Sequence, residues 1–339
     1  MSATSTQVQL VARPHGRPTP DCFRTLTLDL PPLTDGQVRV RNEFISVDPY
    51  MRGRMNDAKS YTPPYALGET MTGAAVGRVV ESAAEGLAPG DTVLHTLGWR
   101  DVAQGDAAQF RVVPKLPGLP LSVHLGILGM TGYTAYVGLR KIAALTPGET
   151  VFVSGAAGAV GTAVGQIARR LGAARVVGSA GSAAKVDLLT SRYGYDAAFS
   201  YKDAPVRTQL PALVPDGVDV FFDNVGGDHL EAALDVMNRD GRVALCGAIS
   251  AYNATTRAPG PDNMALLITQ GLTLRGFTVG SHTELYGDFL RDMSGWLTAG
   301  EVVFDETVVD GIDHALDAFD ALMAGANVGK MVVRIDPAV

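Results

Sequence analysis

Short apolar runs broken by Pro and Gly occupy the chain from Gln7 to about Leu121, and several alternate apolar with polar residues, as Val38 and Val40 do between Arg39 and Arg41. Period two marks strands with one buried face. Strands are predicted over 23–28, 37–41, 74–80, 92–95 and 109–113, with Pro89-Gly90-Asp91 as a turn. After the proline-rich stretch 114–120 the pattern changes, and a second domain is expected to start near Val123. Apolar runs at 150–153, 174–177, 218–222 and 242–245 read as buried strands, and segments at 159–171, 183–191 and 229–238 read as helices. Strands alternating with helices predict parallel βαβ units, hence an α/β fold with a doubly wound sheet. Further helices are expected over 286–299 and 312–324, around a β-rich stretch at 302–309, before a final strand at 330–335.

Composition narrows the function classes. A chain of 339 residues has room for roughly two domains, and 46% apolar with 19% charged residues can build sizeable cores. Basic residues number 28 against 35 acidic ones, a net charge of -7, which argues against a protein that binds nucleic acid by displacing counterions. The two cysteines, Cys22 and Cys246, are too few for a disulfide framework or a four-cysteine zinc site. Residues 1–19 are polar and proline-bearing, and no apolar run reaches the ~18 residues of a membrane span. A cytoplasmic protein without membrane or nucleic-acid partners is expected. Glycine stands out at 39 residues, which suggests tight turns and close backbone approach to a ligand.

The strongest local motif is Thr150-Val151-Phe152-Val153-Ser154-Gly155-Ala156-Ala157-Gly158-Ala159-Val160-Gly161, a strand entering a Gly/Ala turn and then a helix. Gly158 would let the backbone approach a pyrophosphate, Gly161 would let helix and strand pack closely, and the helix N-terminus would supply unpaired N–H groups. A site for NAD usually places Asp or Glu about 20 residues on, to hold the ribose 2′-OH. Here the chain reads Val177-Gly178-Ser179-Ala180-Gly181-Ser182, with Lys185 one turn further. Without a carboxylate, a 2′-phosphate is accommodated, so NADPH is expected rather than NADH, with Ser179 and Lys185 in its site. Lys185 as an ordinary solvated helix lysine is the alternative.

Other segments accompany this turn: Ser46-Val47-Asp48-Pro49-Tyr50-Met51-Arg52, Leu128-Gly129-Met130-Thr131-Gly132-Tyr133-Thr134-Ala135-Tyr136, Asp223-Asn224-Val225-Gly226-Gly227, Cys246-Gly247-Ala248-Ile249-Ser250-Ala251-Tyr252-Asn253 and Asn327-Val328-Gly329-Lys330. Together, over nearly the whole chain, they resemble the zinc-independent branch of the medium-chain dehydrogenase/reductase superfamily, the prostaglandin, alkenal double-bond and curcumin-type reductases. The resemblance implies a partly β, GroES-like catalytic domain at 1–123 and 291–339, a Rossmann domain at 124–290, NADPH as cofactor and a homodimer. It also implies that Ala159, Val160, Gly161 and Thr162 line the pyrophosphate and that Lys185 and Tyr201 hold the 2′-phosphate. Asn224 would meet the ribose region, Cys246, Gly247, Ala248, Ile249, Ser250 and Tyr252 with Phe277, Thr278 and Val279 would flank the nicotinamide, and Asn327 would close over the cofactor. Tyr201 capping an edge strand, and Cys246 as a buried wall rather than a reactive thiol, remain alternatives.

Zinc-dependent relatives carry a cysteine near the position of Ser46 and a histidine in the stretch that here reads Leu67-Gly68-Glu69, so no metal is expected. The implied reaction is metal-free hydride transfer to the β-carbon of an α,β-unsaturated ketone or aldehyde. Charge then develops on the carbonyl oxygen, and a neutral tyrosine hydroxyl, ordinary pKa about 10, can donate a hydrogen bond to it. Tyr252 and Tyr50 are the candidates, against a cofactor-wall role for Tyr252 and a turn-anchoring role for Tyr50. Several family members place a tyrosine seven residues before the Gly-Phe pair, and counting back from Gly276-Phe277 reaches Thr269. Quinone reduction, or NADPH binding without turnover, are the rival readings.

Overall fold

Residues 151–153 and 220–222, all Val or Phe, have no exposed surface, as expected of strands covered by helices on both faces. They belong to a computed structural model that describes residues 3–335. The chain divides into two units: Met1–Gly126 with Glu306–Ala326 and Met331–Val339, and Ile127–Asp305 with Asn327–Lys330.

In the first unit a seven-stranded sheet runs in the order Glu306–Asp310, Lys330–Arg334, Gln37–Ser46, Ala75–Ser82, Thr92–His95, Arg111–Val112, and Val102–Asp106 pairs with Gln37–Ser46 off this path. Thr4–Leu10 and Phe23–Asp29 form a separate antiparallel pair. A core of the first unit packs Met51, Met55, Met71, Trp99 and Phe319 together, with the Trp99 and Phe319 rings edge to face. Tyr50 opens a short helix, Tyr50–Arg54, where the sequence suggests only a turn.

The second unit holds a six-stranded sheet in the order Ala197–Ser200, Arg175–Ala180, Thr150–Val153, Val218–Asp223, Met237–Leu245, Thr273–Gly276, parallel throughout. Thr150–Val153 lies at its centre, and the strand order reverses between Thr150–Val153 and Val218–Asp223. That reversal is where α/β sheets open a crevice at the carboxyl ends of their strands. Phe152 stacks on Phe221 at 4.9 Å, which fills the layer beneath helices Val206–Leu213 and Asp228–Val236.

Several elements differ from the sequence expectations. The helix expected at 229–238 is Asp228–Val236, because Met237 already pairs with Val218 as the first residue of strand Met237–Leu245. The strand expected at 109–113 shrinks to Arg111–Val112, since Asp106 and Gln109 form a reciprocal capping box around a 3₁₀ turn. Residues 291–305, expected in the catalytic domain, belong to the second unit. Helix Tyr286–Thr298 anchors them there by packing Phe289 against Tyr133 and Tyr136, while the Tyr136 hydroxyl donates to Asp292 at 2.6 Å. Residues 327–330 join the same unit through the glycine-rich turn.

Candidate cofactor and active site

Two glycines of the turn have different reasons to be glycine. A Cβ on Gly161 would lie 2.5 Å from both the Gly155 carbonyl oxygen and Ala156 Cα, so helix Ala159–Arg170 can dock on the turn only without one. Gly158, the residue before the helix, has φ -80°, and a Cβ there would meet only the Gly155 oxygen at 3.4 Å. Neither backbone angle nor packing asks for glycine at 158. Apart from that oxygen the space a side chain would take at 158 is open at the start of helix Ala159–Arg170, and the Gly158 backbone pairs with Gly329 in an isolated bridge. Ala159 and Val160 are half-buried beside it, whereas Thr162 is buried with its hydroxyl turned to the Ala159 carbonyl.

Asp223, at the carboxyl end of the neighbouring strand, shapes the adjoining loop. Its Oδ1 accepts from Ser154 Oγ at 2.8 Å and from the N–H groups of Val225 and Gly226 at 3.0 and 2.9 Å. Burial raises its pKa and these three donors oppose the rise. Asn224 is held from both ends, its N–H donating to Ser154 Oγ and its side-chain Nδ2 to the Ser154 carbonyl at 2.8 Å. The sequence places Asp223 in a motif without a role of its own, and its buried position between two loops appears only in three dimensions.

The segment after Met237–Leu245 continues this wall. Cys246 and Gly247 both donate to the Asp223 carbonyl, and Ser250 donates from N–H and Oγ to the Val225 carbonyl. Burial first, then the Asp223 charge, pushes the Cys246 thiol up to about 12, so it stays protonated and serves as wall rather than nucleophile. The Tyr252 hydroxyl accepts from the N–H of exposed Ala248 at 3.4 Å, and among the described residues nothing takes its proton. Burial raises its pKa, so the hydroxyl stays neutral at physiological pH. Tyr50, in the first unit, is raised further by burial and then by Asp48, and its hydroxyl has no hydrogen-bond partner among the described residues. Phe277 packs edge-on against Phe222, and Thr278 and Val279 begin a half-buried 3₁₀ turn. Thr269, where relatives of this pattern carry a tyrosine, is exposed and turns its hydroxyl back to the Ala265 carbonyl of its own helix.

At the next strand end, Ser182 caps helix Ala183–Arg192 and accepts from the Lys185 N–H. The Lys185 ammonium donates to the Asn327 carbonyl at 2.6 Å, while Asn327 Nδ2 donates to the Gly329 carbonyl and the Gly329 N–H to the Ala157 carbonyl. Segment Asn327–Lys330 thus straps Lys185 to the glycine-rich turn. Burial, and then the charge of Lys202, lowers the Lys185 pKa. Lys202 is a second cation at this spot that sequence reasoning missed, since it follows an edge strand and belongs to no motif. Ser179 is fully buried, with no partner for its hydroxyl among the described residues, so it sits beneath the site rather than in it. Tyr201 is 38% exposed beside Gly181. Two lysines and a phenol beside the glycine-rich turn have the chemistry to fit a 2′-phosphorylated dinucleotide.

At the positions where zinc ligands would be sought, Ser46 donates to Asp48 and is buried. Among the described residues no group of three or more His, Cys, Asp or Glu could hold a metal ion.

Comparison with known proteins agrees with this geometry. Residues 6–113 match the family model described as N-terminal domain of oxidoreductase, and residues 159–294 the one described as zinc-binding dehydrogenase. The NADPH-dependent curcumin reductase of Escherichia coli (strain K12) is 39% identical over 96% of this chain and 95% of its own length. The NADP(+)-dependent 2-alkenal reductase of Nicotiana tabacum is 42% identical over 90% of this chain and 89% of its own. The crystal structure of CurA in complex with NADPH from Vibrio vulnificus matches with a TM-score of 0.92 at 39% identity, covering 98% of this chain and 99% of that one. The chain therefore belongs to the medium-chain dehydrogenase/reductase superfamily, in the branch that holds the curcumin, 2-alkenal and prostaglandin reductases.

Proposed function

We propose that this oxidoreductase uses NADPH to reduce the carbon–carbon double bond of α,β-unsaturated ketones or aldehydes. The cofactor, when bound, supplies the hydride. Gly158 and the first turn of helix Ala159–Arg170 would hold the pyrophosphate, and Lys185 with Tyr201 the 2′-phosphate. The observation that carries the reading is Tyr252, a neutral hydroxyl with an uncommitted proton on the loop that continues from the Asp223 wall. As the β-carbon is reduced, charge accumulates on the substrate's carbonyl oxygen, and a preorganised hydroxyl that donates to that oxygen lowers the barrier. Tyr50 is the second candidate for this donation. Protonation of the α-carbon is assigned to water. The family resemblance, rather than the residue pattern, extends the proposal to a homodimer in the cytoplasm.

The direct test incubates EDTA-treated protein with NADPH and a simple aryl enone, following cofactor oxidation and identifying the product. Saturated ketone is the expected product. Allylic alcohol would mean carbonyl reduction and a different mechanism, and oxidation of NADPH by quinones alone would move the assignment to quinone reduction. Absence of turnover with either would leave an NADPH-binding protein.

Lys185 gives a pH dependence whose sign can be worked out. The ammonium is the form that attracts a 2′-phosphate, and its lowered pKa means it is lost on raising the pH earlier than an ordinary lysine of pKa about 10.4. The preference for NADPH over NADH is therefore expected to shrink as the pH rises from neutral toward that value. Dissociation constants for both cofactors, measured by fluorescence across this range, check it. Lys185→Ala should show a smaller preference that changes less with pH than that of the wild type, with Lys202 as the cation that remains.

A further inference from the structure

We infer that His229 and Gly181 are positioning residues for the 2′-phosphate site, holding the Tyr201 phenol where it can recognise NADPH; this rests on the NADPH reading above. His229 lies in the first turn of helix Asp228–Val236, only 5% exposed, with its ring edge-to-face against Tyr201 at 5.4 Å between centroids. Its Nε2 is buried and has no hydrogen-bond partner among the described residues. A buried ring nitrogen without a partner is costly, so at this position the histidine contributes shape and an aromatic edge rather than a hydrogen bond. Burial lowers its pKa to about 4, so the ring is uncharged at neutral pH and does not itself attract phosphate.

Gly181 fixes the other end of the phenol. A Cβ at Gly181 would sit 2.9 Å from the Tyr201 hydroxyl, so the hydroxyl occupies the space that any side chain at 181 would take. The Tyr201 N–H also donates to the Ala180 carbonyl at 3.0 Å, tying its backbone to the end of strand Arg175–Ala180. That strand end is where NAD sites carry their ribose-binding carboxylate. The phenol is thus held over the position that distinguishes the two cofactors, in the same turn region as Lys185.

The test measures dissociation constants for NADPH, NADH and the fragment 2′,5′-ADP in the intact protein. His229→Ala is expected to weaken NADPH and 2′,5′-ADP by about tenfold, the upper end for losing one aromatic edge contact, while NADH binding stays the same. His229→Phe should restore binding, because the ring and not its nitrogen does the work. Gly181→Ala, which leaves the core untouched, should reproduce the loss. In a Tyr201→Ala background, His229→Ala should have no further effect on the NADPH to NADH ratio. Equal weakening of both cofactors, no change, or a His229→Phe as weak as His229→Ala would each overturn the inference. A wild-type protein without preference for NADPH would overturn the cofactor reading instead.

Discussion

Gly161→Ala is expected to destabilise the protein by about 3 kcal/mol or more, while Gly158→Ala changes stability by no more than about 0.5 kcal/mol and instead weakens NADPH binding. At 161 the added methyl meets backbone, the Gly155 oxygen and Ala156 Cα at 2.5 Å, and neither atom can rotate away as a side chain would. Relief requires helix Ala159–Arg170 to move off the central strand, which opens the contacts made by Ala163, Val164 and Ile167, all fully buried. At 158 the backbone is in a region every residue adopts, and the nearest atom lies at 3.4 Å. Alanine there even restricts the unfolded chain slightly, which offsets any small cost. The methyl would stand where a pyrophosphate must approach the helix N-terminus, so NADPH affinity should fall about tenfold or more. Thermal or denaturant unfolding of the free protein, with NADPH titration of each variant, separates the two outcomes. A Gly158→Ala protein that binds NADPH as wild type does would remove this turn from the cofactor site.

That contrast shows where the sequence is readable. Spacing alone distinguished Gly158 from Gly161, because a strand-turn-helix leaves one glycine facing outward and the other facing the strand. The central strands were equally plain, since residues 151–153 and 220–222 are apolar without interruption. Strand Thr4–Leu10 was not. Its Gln7 and Gln9 are buried, and each is matched by a partner far along the chain, Thr70 on Gln7 and Arg24 on Gln9, so polar letters hide an inward face. Helix Val206–Leu213 was masked by Pro211 inside it, and edge strand Thr273–Gly276 by Arg275 and glycine at its exposed margin.

At the site, residues on one motif were legible and convergent ones were not. Lys185 could be named because it follows the strand after the glycine-rich turn by one helical turn. Lys202 and His229 reach the same neighbourhood from two other places in the chain, through edge pairing and a helix start, whereas Asn327 could be named only through the family resemblance. Ser179 stands at a suitable place in the sequence, and its side chain is fully buried in a strand whose residues from 176 to 180 are all buried. Departure of the family tyrosine to Thr269 was visible from counting, and the structure gives it physical content by turning that hydroxyl into its own helix.

Tyr252→Phe is expected to lower kcat/KM for an enone by about a hundredfold, with NADPH affinity unchanged, if its hydroxyl stabilises the developing oxygen charge. The substitution is clean. The hydroxyl accepts one weak bond from Ala248, an exposed residue whose N–H can turn to water, and the ring that packs in the loop remains. Because burial raises the Tyr252 pKa, the donor form persists through neutral and mildly alkaline pH, and the wild-type rate should show no limb from tyrosine ionisation there. A loss of less than about threefold, with NADPH binding intact, removes Tyr252 from the chemistry. Tyr50→Phe then becomes decisive, since its hydroxyl is also neutral and has no hydrogen-bond partner among the described residues. If both together cost little, water or backbone N–H groups supply the hydrogen bond, and catalysis here rests on placing the acceptor carbon against the cofactor.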